Sequence, residues 1–335
     1  MNKLTLTNTD LNISNICLGG GNFGTKLDKE HAFLVMDSYV EGGGNFIDTA
    51  NVYCRWIPGI GNCSEEFIGS WLKSRNTYNK VIIGTKGGHY DFSAPDVSRV
   101  TKADIRNDLE ESLHTLGIDR IDLYWLHRDD PDKDMGEIID WMEELVQAGK
   151  IRYYGASNFS VERMKQANLY AKKTNIQGFS AVSNQWSAAS LNHGNNINQD
   201  TTMEFMDKDF YEWHKSTKIP IIPYTSTAYG FFEKLHSFHP IVKDGSVLST
   251  EVLESMEHQL LKAYLNQKNL EMYEDFLQIH TETGKSLFSI SVAFLLNQPF
   301  DTVPVISVSK LDQLSGIREA SDIVLDKHFI EKYQP

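Results

Sequence analysis

"NFIDTANVY", residues Asn45–Tyr53, sets two apolar residues, Phe46 and Ile47, ahead of an aspartate, Asp48, with Tyr53 five residues further on. The apolar pair reads as a short buried strand, and an ionised carboxylate at its end is costly unless a positive group pairs with it. Comparable runs recur at Ile16–Leu18, Asn45–Ile47, Val81–Gly84, Ile121–Leu126, Ile151–Ala156, Phe179–Ser183, Ile219–Pro223 and Thr302–Ile306. Most lie about 30 to 40 residues apart with one amphipathic stretch between, the cadence of βαβ units and of a parallel sheet. Eight such units close into a (β/α)8 barrel, with a doubly wound open sheet as the alternative.

The helices between these strands are marked by their caps. Thr101 with Asp104 three residues on resembles a capping box, and Ile105, Leu109, Leu113 and Leu116 then share one face. Ser64 is the expected cap of "SEEFIGSWLKS" and Ser160 that of "SVERMKQANLYAKK". Before the first strand, "KLTLTNTDLNIS" reads as a β-hairpin closing the bottom of the barrel. Between strands seven and eight the interval roughly doubles, and "TEVLESMEHQLLKAYL" and "LEMYEDFLQIH" predict a long helical insertion at the mouth.

With 335 residues and 41% apolar content the chain is read as a single domain spanning 1–335. A net charge of −13, from 45 acidic against 32 basic residues with no basic run, argues against nucleic acid as a partner. Cys17, Cys54 and Cys63 lack metal or redox spacing, so reduced thiols and no metal site are expected, with a Cys54–Cys63 bridge the minor alternative. Neither a signal-peptide pattern nor a membrane-spanning stretch is visible, which leads to the expectation of a soluble, cytoplasmic protein with no membrane partner.

Strand ends carry the chemistry. The second strand ends in Asp48, the third, "VIIGTK", in Lys86, and the fourth, "IDLYWLH", in His127, which alternation places on the face of Leu123 and Trp125. In a parallel barrel these ends open on one rim, where Tyr53 also leans in. Lys86 is then the counter-ion of Asp48, and its ammonium is expected to draw the Tyr53 phenol down toward neutrality, making a usable acid and base. His127 serves as hydrogen-bond donor to a carbonyl oxygen. Such a site lacks a hydride source and needs a cofactor. Taken singly, each residue has an ordinary reading as a cap, a rim charge, a core histidine or packing. Four on successive units are hard to obtain by accident.

These segments, with "GKIRYYGASNFS" after them, resemble the aldo-keto reductases over essentially the whole chain. The resemblance implies a (β/α)8 barrel, an NAD(P)H-dependent oxidoreductase acting on aldehydes, ketones or alcohols, and a tetrad at Asp48, Tyr53, Lys86 and His127. It also implies that Ser157, Asn158 and Gln185 hold the nicotinamide carboxamide and that Tyr224 stacks on its ring. Gly20 and Gly21 would lie against the cofactor, and Thr225, Ser226 and Gly230 would wrap its pyrophosphate. Ser309, Lys310 and Gln313 would meet the adenosine ribose and any 2′-phosphate. Trp56 joins Tyr53 and His127 on the substrate side. NADPH is the expected cofactor, with NADH the alternative.

Three departures bear on this. "LGGGNFG" has no bulky aromatic after the first strand, so Gly20, Gly21 and Asn22 are expected to leave that wall of the pocket open to larger substrates, or filled by another group. Thr225–Thr227 lacks the proline common in the family's pyrophosphate loop. Basic residues are missing at Ser307 and Gln313, leaving Lys310 and Arg318 as candidate partners of a 2′-phosphate. Two rival readings are a Schiff-base aldolase using Lys86 and a nicotinamide-binding regulatory subunit resembling potassium-channel β subunits. Oligomeric state is not readable from the sequence.

Overall fold

The computed structural model describes residues 1–237 and 258–335. Strands β1 (Lys3–Thr5) and β2 (Asn12–Ser14) pair antiparallel as the expected hairpin. Then β3 (Cys17–Gly19), β4 (Phe46–Asp48), β5 (Ile82–Gly87), β6 (Ile121–Leu126), β7 (Ile151–Ser157) and β8 (Val182–Ser183) join in chain order into a parallel sheet, and β9 (Val305–Ile306) returns beside β3. The ring closes through Ile221, which bridges Val182 on one side and Thr302 on the other. This seventh position pairs through isolated bridges and forms no continuous ladder, because Pro220 and Pro223 flank Ile221 and have no amide hydrogen to donate. All eight predicted runs take their places in a (β/α)8 barrel.

Alternation sorts each strand between two cores. Cys17, Phe46, Leu123, Trp125, Ala181, Ile222 and Val303 point inward and meet Leu6, Leu11 and Ile13 of the hairpin segment, which plugs the barrel. Leu18, Ile47, Ile83, Tyr124 and Ala156 point outward. They pack against α1 (Lys29–Glu41), α2 (Cys63–Arg75), α3 (Lys102–Leu116), α4 (Met135–Gln147) and α5 (Val161–Thr174). Thr101 and Ser160 cap α3 and α5 as expected. Ser64 does not cap α2; Asn62 does, accepting from the Glu65 amide. The Ser64 hydroxyl is fully buried instead, 2.7 Å from the Thr49 hydroxyl and donating to Gly20 O at 2.9 Å.

After α6 (Lys208–Thr217) and Ile221 come α7 (Phe231–His236), α8 (His258–Tyr264), α9 (Gln267–Thr283) and α10 (Leu287–Leu296). They form a separate core around Phe231, Tyr264, Met272, Phe276 and Phe294. Of the two predicted insertion helices, the second is α9; the first begins among residues outside the described ones, and α8 covers its described end. The chain ends with α11 (Gln313–Ala320) and α12 (Lys327–Lys332).

The expectation of reduced thiols fails at two of the three cysteines. Loop 55–62 returns to the start of α2, which brings the Cα atoms of Cys54 and Cys63 to 6.0 Å, within disulfide reach, and they are bonded. Cys17 is free and buried. No helix among the described residues is long and apolar enough to cross a membrane.

Candidate active site

Register builds the centre of the site. Asp48 pairs with Gly84, and Lys86, two residues further along β5 and so on the same face, pairs with Trp125 of β6. Glycine at 84 leaves the room these side chains need: a Cβ there would crowd Asp48 Oδ1 at 3.0 Å and Trp125 Nε1 at 3.3 Å. With that space free, the Asp48 carboxylate accepts from Lys86 Nζ on one oxygen and from Trp125 Nε1, at 3.0 Å, on the other. Lys86 also donates to Thr49 O at 2.7 Å. The Trp125 contact was not foreseen, although alternation had placed the indole on the inward face, where a buried N–H needs an acceptor. Burial works against the Lys86 ammonium, but Asp48 and Tyr53 outweigh it, and its pKa lies above the usual lysine value.

Tyr53 follows on the loop after β4. Lys86 Nζ stands 5.3 Å from the centre of its ring, and the His127 ring is 6.2 Å away. Burial pushes the phenol pKa up, the Lys86 ammonium pulls it back, and the Asp48 carboxylate offsets part of that pull. The expected drop toward neutrality is therefore not found, because loss of hydration outweighs one partly neutralised cation. Tyr53 is therefore held as the neutral phenol.

His127, at the end of β6, is held neutral: burial, then His89, Arg128 and Lys86, lower its pKa well below the ordinary value. Its Nδ1 is buried with no hydrogen-bond partner among the described residues. An orphaned lone pair is the lesser cost compared with an orphaned N–H, which favours the tautomer with hydrogen on Nε2, the donor an oxyanion site needs. A second imidazole escaped notice in the sequence. His89, reached from Lys86 through Gly87 and Gly88, stands 4.7 Å from His127, ring centre to ring centre.

The residues expected around a nicotinamide converge on the same rim with different degrees of freedom. Gln185 donates through Nε2 to the Tyr264 hydroxyl at 3.1 Å, while its Oε1 is buried and unpartnered, an acceptor that suits a carboxamide NH2. Asn158, in the left-handed region at φ 62°, spends its amide internally. Its Nδ2 donates to His127 O and Ser157 Oγ, both at 3.1 Å, and its Oδ1 accepts from the Tyr224 hydroxyl at 2.6 Å. Ser157 Oγ in turn donates to Ser183 O. Thr225 and Gly230 take positive φ in the turn after Tyr224, and Ser226 Oγ donates back to Pro223 O.

At the far end, Gln313 Oε1 accepts from the amides of Ser309 and Lys310, and the Lys310 side chain is exposed. Arg318 is not beside it: its guanidinium donates to Ser38 O at 2.7 Å and ties α11 to α1. Lys310 is left as the candidate cation there. At Gly20 the wall is filled by another group, since a Cβ would stand 2.8 Å from the Ser64 hydroxyl that takes up the space. Gly21 has room, with Tyr53 Cε2 3.9 Å from its Cβ position. Trp56 meets Tyr53 edge to face at 6.0 Å and is 45% exposed. Trp56, Ile60, Lys86, His89 and Phe92 line a cavity of about 580 Å3. Among the described residues no His, Cys, Asp and Glu cluster has metal-holding geometry.

The family model described as Aldo/keto reductase family matches residues 15–334. The uncharacterized oxidoreductase YrpG of Bacillus subtilis is 27% identical over 97% of this chain and 92% of its own length. Norsolorinic acid reductase B of Aspergillus parasiticus is 24% identical over 94% of this chain and 78% of its own, and the aryl-alcohol dehydrogenase [NADP(+)] of Phanerodontia chrysosporium 25% over 94% and 80%. With a family model spanning nearly its whole length and a matching barrel, the chain belongs to the aldo/keto reductase family of oxidoreductases.

Proposed function

We propose that the protein is an NADPH-dependent reductase of ring-bearing aldehydes or ketones, working through Asp48, Tyr53, Lys86 and His127. The observation that carries this reading is the Lys86 ammonium, held by a buried carboxylate and standing against the face of a protonated tyrosine. A bound nicotinamide supplies the hydride that reduces the carbonyl carbon. Neutral His127 orients the carbonyl by donating to its oxygen. The Tyr53 hydroxyl gives that oxygen its proton as the alcohol forms, and Lys86 stabilises the resulting phenolate until solvent reprotonates it. Asp48 keeps Lys86 charged and in place.

Gln185 Oε1 fits the carboxamide, and the partly exposed ring of Tyr224 offers a stacking face. The preference for NADPH rests on Lys310 and on the cofactor that the Phanerodontia relative carries in its name. The ring-bearing substrate class rests on the Trp56 and Phe92 lip and on the aryl alcohol in the Phanerodontia relative's name. A Schiff-base role for Lys86 is disfavoured, because it needs a neutral amine where the site holds an ammonium. The test is to incubate the purified protein with NADPH and a panel of aryl and alkyl carbonyls. Cofactor oxidation should match alcohol formed; cofactor binding without turnover of any carbonyl would count against an enzyme.

A further inference from the structure

His89 is 5% exposed and lies outside the tetrad, edge to face with His127. Gly88, at φ 75°, makes the turn that swings it back over the rim. Its Nδ1 lies 2.8 Å from Tyr90 O. A carbonyl only accepts, so in the neutral ring this nitrogen carries the hydrogen, and Nε2 is left with a lone pair. No hydrogen bond engages that Nε2 among the described residues. Burial, then the charge of Arg128, lowers the ring's pKa to about 4, so it stays neutral near pH 7.

His214 shows what an imidazole used only for packing looks like here. It too donates from Nδ1 to a backbone carbonyl, Ile219 O at 2.7 Å, but its Nε2 is sealed in and its ring stacks between Phe210 and Phe300. His89 instead lines the cavity that reaches Lys86, together with the rings of Trp56, Tyr90 and Phe92 and with polar groups that include Arg55, Asp91 and Arg99. An unengaged acceptor there gives a substrate hydroxyl a hydrogen bond that an apolar group in the same place cannot make. If His127 addresses the reacting carbonyl oxygen, a ring centred 4.7 Å away is spaced to address a second oxygen on the adjoining carbon.

We propose that His89 determines specificity: its Nε2 accepts a hydrogen bond from a hydroxyl on the carbon next to the reacting carbonyl, selecting α-hydroxy carbonyl compounds over their deoxy counterparts. This rests on the carbonyl reductase reading above. The test compares kcat/KM for 2-hydroxy-1-phenylethanone and 1-phenylpropan-1-one, which differ by hydroxyl against methyl, in the wild type, His89→Phe and His89→Gln. The hydroxy-to-deoxy ratio should fall about fivefold in His89→Phe, the worth of one neutral hydrogen bond, and recover in His89→Gln, which retains an acceptor. A ratio unchanged in His89→Phe overturns the proposal. So does an equal loss on both ketones, which would mean that His89 acts through His127. A wild type that binds NADPH and reduces neither ketone nor any other carbonyl overturns the enzymatic reading itself, a result distinct from an unchanged ratio.

Discussion

The Asp48 carboxylate and the Lys86 ammonium form an ion pair whose side chains are only 4% and 3% exposed. Removing one partner leaves the other charge buried, and that penalty exceeds what the pair itself contributes. Asp48→Asn keeps the shape and an acceptor for Trp125 but strands the ammonium. It should lower the free energy of unfolding by about 3 kcal/mol. Urea denaturation measures this, and a loss under about 1 kcal/mol would show that Lys86 sheds its proton at little cost.

Glu65 lies behind the site, accepting from Thr85 and Asn62, and burial raises its pKa to about 7. The folded state therefore holds a proton between pH 4.5 and about 7 that the unfolded chain has released, and stability falls as pH rises through this window. Glu65→Gln lacks that dependence. Its stability relative to wild type should climb with pH across the window, by roughly 3 kcal/mol in all, and level off above it. Parallel stability curves for the two proteins would contradict a protonated Glu65.

Lys310 is the cation left at the proposed adenosine end once Arg318 is committed to α1. Lys310→Ala should weaken NADPH by about 1 kcal/mol or more and leave NADH unchanged, as expected for one charge-assisted contact with a 2′-phosphate. Fluorescence titration with both cofactors decides it, and equal losses would remove Lys310 from that role.

Gly21 has the space that Gly20 lacks, beside the Tyr53 ring. The wild type should prefer ring-bearing carbonyls to propanal-sized ones, since ~60 Å2 of extra apolar contact is worth about 1.5 kcal/mol, roughly tenfold in kcat/KM. Gly21→Trp should reverse that preference. A graded carbonyl series in which the variant is indifferent to size would place the substrate elsewhere.

The barrel was legible because parallel strands buried on both faces read as short apolar runs, so that even Ile219–Pro223, with its two prolines, announced a strand it could only just form. Asp48, Lys86 and His127 were legible because strand ends share a rim. What escaped was set by tertiary balance or by loops. The phenol of Tyr53 rises where charge alone predicted a fall, since burial is not written in the spacing. Ser64 turned from cap to wall filler, Arg318 to a tie between helices, and Cys54 met Cys63 because loop 55–62 doubles back. His89 was hidden by two glycines that carry it off the strand's alternation.

The proposed carbonyl reduction depends above all on Tyr53 supplying the proton. Tyr53→Phe keeps the ring against Lys86 and removes only the hydroxyl. Measured on one preparation, NADPH affinity by fluorescence should be nearly unchanged while kcat for an aryl aldehyde falls by at least about a hundredfold, the range for loss of a general acid. A variant that binds NADPH normally and keeps more than about a tenth of wild-type turnover would contradict the account, because the proton would then come from another group.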